Sequence, residues 1–143
     1  MRGTAIVTAA AETDPGLHRP VNEDRCHADP IRGIFAVVDG VGGHNAGEKA
    51  ADTALAMLRA RLERETGAIE DRVREAIAVA ATEVHRQANL RPEWRGMACV
   101  LTVAVVENGR ATIGHVGDTR LYKLRNGRIE KITQLEQARG LKP

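Results

Sequence analysis

Residues 35–49 read Phe-Ala-Val-Val-Asp-Gly-Val-Gly-Gly-His-Asn-Ala-Gly-Glu-Lys, an apolar run that delivers Asp39 into a glycine-rich turn and then feeds a helical pattern. Gly33 to Val38 is compact, apolar and bounded by glycines. That suits a strand buried on both faces better than a helix of two turns. Asp39 closes the run, and the glycines after it allow a tight reversal. The chain must therefore join a sheet to a helix here, with an acid at the junction.

From Ala46 the period changes. Ala51, Leu55, Leu58 and Leu62 fall at helical spacing until Gly67 ends the segment. A second stripe of Ile69, Val73, Ile77, Ala80, Val84 and Ala88 runs over 69–89 and is closed by Arg91-Pro92. The two helices are expected to pair antiparallel, with their Glu and Arg residues on a solvated outer face. Upstream, residues 4–11 predict an opening strand that Asp14-Pro15-Gly16 stops with a turn. A polar stretch with Arg19 and Asn22-Glu23-Asp24 then leads through 25–28 to a turn at Asp29-Pro30. Downstream of Trp94 the texture is β. Segments 99–106, 111–116, 121–124 and 128–132, punctuated by Asn108-Gly109 and Asn126-Gly127, predict a meander of strands.

Composition narrows the chemistry. A chain of 143 residues lies in the single-domain range of roughly 100–200. With one Phe, one Tyr and one Trp, aliphatic residues must build the core, and base stacking is not available on any scale. A net charge of +2, dispersed among interleaved acids, is no nucleic-acid footprint. Cys26 and Cys99 are too few for a disulfide framework, and neither a leader nor a long apolar run is visible. A soluble, reduced, cytoplasmic protein that binds neither nucleic acid nor membrane is expected.

Carboxylates beside glycines at strand ends are what hard divalent cations require: oxygen ligands on stiff elements, with carbonyls or water completing an octahedron. Glu23, Asp24, Asp39 and Asp118 fit, and Gly40 lets its carbonyl or a phosphate come close. Any one such Asp is more often a turn-former or helix cap, so the weight rests on the combination. Two phosphate-cradling loops fit badly. A P-loop needs Gly-Lys-Ser/Thr where Gly47-Glu48-Lys49-Ala50 stands, and a dinucleotide fingerprint would set Asp39 against the pyrophosphate. His44, His85 and His115 are expected to be structural or surface residues, Cys99 a small buried hydrophobe and Trp94 a packing plug.

Taken together, Arg19 with Asn22-Glu23-Asp24, then Val38-Asp39-Gly40-Val41-Gly42-Gly43-His44 with Ala46-Gly47-Glu48, then Val116-Gly117-Asp118-Thr119-Arg120-Leu121-Tyr122 resemble successive motifs of the protein phosphatase 2C family. Their order and spacing are similar to those of bacterial PPM-type Ser/Thr phosphatases over residues 4–133. The resemblance implies an α+β fold, an α/β/β/α sandwich of two antiparallel sheets flanked by helices and incomplete here. It makes residues 1–143 a single partial phosphatase domain with an atypical tail at 134–143. It also implies two manganese or magnesium ions sharing a bridging water, with a third, weaker metal. Asp39 would bridge both ions, Gly40 would give its carbonyl, Asp24 would act through water, Glu23 would stand behind them and Asp118 would help hold the third. Arg19 resembles the family's phosphate-binding arginine, and the attack would fall on phosphoserine or phosphothreonine of proteins modified by bacterial Ser/Thr kinases.

Three departures from the family pattern matter. Val41 stands where some members carry a histidine suggested as the general acid. Gly96-Met97-Ala98-Cys99-Val100 replaces Gly-Met-Gly-Thr-Thr. After Thr133 the family's Asp-His-Ser segment is replaced by Gln134-Leu135-Glu136-Gln137, and the later metal-binding aspartates do not follow. The expectation is a truncated or frameshifted product, with a catalytically inactive fragment or phosphoprotein-binding module as the alternative to the active enzyme.

Overall fold

In the computed structural model, which describes residues 6–134, strands β1 (Asp24–Asp29), β2 (Ile34–Val41), β3 (Ala98–Glu107) and β4 (Arg110–Val116) form one antiparallel sheet in the order β1-β2-β3-β4. The β1–β2 reversal is made by Asp29, whose Oδ1 accepts from the N–H groups of Ile31 and Arg32 at 3.0 Å each. Asn108 and Gly109 join β3 to β4 with positive φ at both positions, the geometry that matches strand twist.

Helices α1 (Ala46–Leu62) and α2 (Ile69–Ala88) cover one face of this sheet. Ile34, Ala36 and Val38 alternate inward from β2, beside Leu101, Val103 and Val105 of β3, and meet Ala50, Ala54, Leu58, Ala76 and Val84. Alanines on the inner helix faces let the backbones approach, which is how a core almost without aromatics reaches close packing. The helices run antiparallel, because Arg61 Nε bonds Glu75 Oε2 at 2.7 Å near one end and Thr53 Oγ1 lies 3.3 Å from Gln87 Oε1 near the other.

The α+β class with two antiparallel sheets stands as expected, and several local expectations need correction. β2 is buried on its helix side only: Val37 is 43% exposed and Val41 56%, since no helix among the described residues covers the other face. Asp39 lies inside β2 and does not cap it, because the ladder continues to Val41↔Ala98. The polar stretch 25–28 is part of strand β1. The expected opening strand fails: its first two residues lie outside the described part, and residues 6–11 pair with no strand there, leaving Ile6 exposed. The meander is broken after β4. Strands β5 (Tyr122–Arg125) and β6 (Arg128–Lys131) form their own two-stranded sheet. Not every helix arginine lies on a solvated outer face either, since Arg61 and Arg72 are buried, the latter bonding Glu107 Oε2 of β3 at 2.6 Å. Of the tail, residues 135–143 lie outside the described residues.

Candidate active site

Strand register, more than sequence spacing, assembles the acids. Asp24 of β1 lies directly opposite Asp39 of β2, and both point away from the helices because the core residues Val38 and Gly40 point towards them. Glu23 precedes β1, and its carbonyl accepts the Gly40 N–H at 3.0 Å. Asp118 arrives from the other side of the sheet. Val100 is the β3 partner of Asp39, and Gly117, at φ +93°, packs so closely on Val100 that a Cβ there would collide with its side chain. The turn after β4 is thereby folded down beside Asp39.

Electrostatics agree with this convergence. Burial first, then the charge and hydrogen bonding of Asp24, then the charges of Asp118 and Glu23, push the Asp39 carboxyl above its ordinary value. Arg25, the cation nearest in sequence, leaves β1 on the helix side and is paired with Glu48 and Asp52. Arg25 is thus not the counter-charge of Asp39, and the acids around it are oxygen donors of the kind a hard divalent cation takes. The fit is partial: among the described residues, no three His, Cys, Asp or Glu side chains come close enough together to hold an ion by themselves.

Next to these acids opens a cleft of about 590 Å³ lined by Arg19, Asn22, Glu23, Asp24, Asp39, Gly40 and Gly43, among others. The structure thus brings Arg19, Glu23, Asp24, Asp39 and Gly40 to one cavity, with Asp118 outside its lining but within electrostatic reach of Asp39. Arg19 is exposed at the cleft wall and makes no ion pair among the described residues. Gly40 and Gly47 form a second close approach: a Cβ on Gly40 would collide with the Gly47 carbonyl, and one on Gly47 with the Glu23 carboxylate. The turn between them is strained, with His44 and Asn45 both at positive φ, and such outliers are often kept where a ligand is handled.

Sequence spacing did not reveal Thr102, His115 and Thr119. The Thr102 Oγ1 lies 2.8 Å from His115 Nδ1 and 2.7 Å from Thr119 Oγ1, tying the Asp118 turn to the sheet. Thr102 and His115 are cross-strand partners, and that register was the only signal that could have joined them. Thr119→Val should cost about 1 kcal/mol in urea unfolding, the usual net value of one such bond, because Thr102 keeps its histidine partner. His44 and His85 are exposed, and the Trp94 ring is flanked by Lys49 Nζ at 5.4 Å and the Arg91 guanidinium at 4.8 Å, a packing role.

Comparison with known proteins agrees with this geometry. Residues 19–139 match the family model described as protein phosphatase 2C. The chain is 33% identical over 134 residues to the serine/threonine protein phosphatase PstP of Mycobacterium tuberculosis, covering 93% of this chain and 26% of that protein. With the serine/threonine phosphatase stp of Listeria monocytogenes it shares 30% identity over 134 residues, 88% of this chain and 53% of the other. The crystal structure of the PstP catalytic domain in complex with two manganese ions superposes with a TM-score of 0.81 at 34% identity, covering 87% of this chain and 54% of that one. The chain thus spans about half or less of each of these proteins.

Proposed function

The chain belongs to the protein phosphatase 2C family, and from that premise we propose that its Asp39 cleft is part of the active site of a metal-dependent protein serine/threonine phosphatase. The observation that carries the reading is the crowding of Asp39 by Asp24, Asp118 and Glu23 beside a cleft that also presents Arg19. The relative solved with two manganese ions supports manganese as the metal, with magnesium as the other candidate. Among the described residues no helix is long and apolar enough to cross a membrane.

Each residue then has a physical task. Asp39 and Asp24, opposed across β1 and β2, are the acids that would hold the cations, with the Gly40 carbonyl as a neutral third donor and Asp118 serving a weaker ion. Bound cations would supply Lewis acidity and bring the pKa of a coordinated water towards neutrality. Glu23 keeps its place because Gly47 has no side chain to displace it. Arg19 would grip two phosphate oxygens with its planar fork and orient the phosphorus towards the acids. Val41, exposed at the end of β2 and lining the same cleft, has no proton to give, so the leaving oxygen takes its proton from water. The substrates would be phosphoserine and phosphothreonine in proteins modified by bacterial Ser/Thr kinases.

A second reading, a phosphoprotein-binding module without turnover, is favoured by the partial acid set. Hydrolysis of p-nitrophenyl phosphate by the purified chain, with and without Mn²⁺, separates the two. The expected result is turnover that needs Mn²⁺, vanishes with EDTA and shows a KM raised about tenfold in Arg19→Ala, the effect of losing one charge-assisted phosphate contact. Retention of a phosphopeptide without turnover would establish the second reading, and hydrolysis that survives chelation would refute the first.

A further inference from the structure

β1 must hold Asp24 in one register against Asp39 although, among the described residues, it is an edge strand paired on one side only. Edge strands open most easily, so something else must hold this one in place. Arg25 projects from β1 on the face that α1 covers, opposite to Asp24. Its Nε donates to Asp52 Oδ1 at 2.6 Å, and its Nη2 donates to Glu48 Oε1 at 2.9 Å and Asp52 Oδ2 at 3.5 Å. Its Nη1 donates to the backbone carbonyls of Asn22 and Asp24, at 2.8 Å each. One guanidinium is thus bonded both to the helix that leaves the glycine turn and to the backbone on either side of Glu23.

We propose that Arg25 is a positioning residue, which fixes the Asn22–Asp24 backbone against the first turns of α1 so that Glu23 and Asp24 keep their places beside Asp39 and Gly40. Glu48 and Asp52 lie one helical turn apart and present two carboxylates to one fork, a match for the five donors of arginine. Lysine cannot substitute. Its single ammonium can reach the helix acids or the two carbonyls, but it lacks the rigid fork that reaches both. The inference rests on reading the cleft as a cation site, although its mechanical part, the docking of residues 22–24 on α1, can be measured without any ion.

The Gly40 amide reports that docking, because it donates to the Glu23 carbonyl at 3.0 Å. Amide hydrogen exchange is compared in the wild-type chain, Arg25→Lys and Asp52→Asn, together with Mn²⁺ affinity from the electron paramagnetic resonance of free Mn²⁺. In Arg25→Lys the Gly40 amide should exchange about tenfold faster while amides in the middle of α1, such as that of Leu58, keep their rates. Mn²⁺ should bind about tenfold more weakly, as when a residue supporting a ligand is lost. Asp52→Asn should move both readouts in the same direction and less far. Unchanged Gly40 exchange, or equal acceleration at Gly40 and Leu58, overturns the proposal. A wild-type chain that binds no Mn²⁺ counts against the phosphatase reading, and the exchange comparison then still decides the role of Arg25.

Discussion

Gly40→Ala should destabilise the chain by about 3 kcal/mol, the upper end for overpacking, and lower its melting temperature by about 10 °C. Gly40 needs no unusual φ. It needs space, because its missing Cβ would point from β2 into the first turn of α1 and collide with the Gly47 carbonyl, with the Glu23 carbonyl 3.0 Å away. Both obstacles are backbone, and neither can rotate aside. The strand and helix must separate, and the separation also pulls on the Gly40 N–H bond to Glu23. Gly43→Ala is the control, since nothing stands within 4 Å of a Cβ there and its cost should stay within about 0.5 kcal/mol. Thermal denaturation of the two variants side by side checks the claim. Equal stability would mean that α1 is not seated on β2 as described.

Why some of this could be read from residues alone, and some not, follows from where each signal lies. The two helices were legible because their apolar residues repeat at helical spacing and pack against one core, and β2 because it is a short apolar run bounded by glycines, a run that does not tell which face is covered. β1 was not, because both of its faces carry polar residues: Asp24 on the open side, and Arg25, His27 and Asp29 on the side of α1. A strand whose inward face is bonded to Glu48 and Asp52 loses the apolar alternation that reveals strands. The break between β4 and β5 was hidden in Gly117, whose positive φ redirects the chain where a meander was expected. Residues 6–11 have the composition of a strand but no described partner, and a strand without a partner is only an extended segment. The same division holds in the site. The identities of Asp24, Asp39 and Asp118 were visible as motifs, whereas their juxtaposition depends on antiparallel register and on Gly117 lying over Val100. Register is a tertiary property, and no local period encodes it.

Asp39→Asn should change the stability of the chain in opposite directions with and without Mn²⁺. Asp24 and Asp39 are directly opposed across two strands, and like charges so placed destabilise a sheet by roughly 0.2–1 kcal/mol. Burial, then Asp24, Asp118 and Glu23 in turn, raise the Asp39 carboxyl above its ordinary range, so its ionised form is held in the folded chain at a cost. An amide removes that charge and can donate to Asp24, so the metal-free variant should melt about 1–4 °C higher than the wild type. Mn²⁺ reverses the order. A cation held only by the folded state adds about 2.7 kcal/mol at a hundredfold excess over its dissociation constant. The substituted amide, neutral and facing Asp24, should lose more than about 100-fold in affinity and forgo that gain, with turnover lost alongside. Melting curves of both proteins across a Mn²⁺ titration should therefore cross. If the variant is instead less stable in the absence of metal, Asp39 is a structural acceptor, the ordinary role of an aspartate beside a glycine turn. Parallel curves at every Mn²⁺ concentration would show that the crowded acids do not serve a cation.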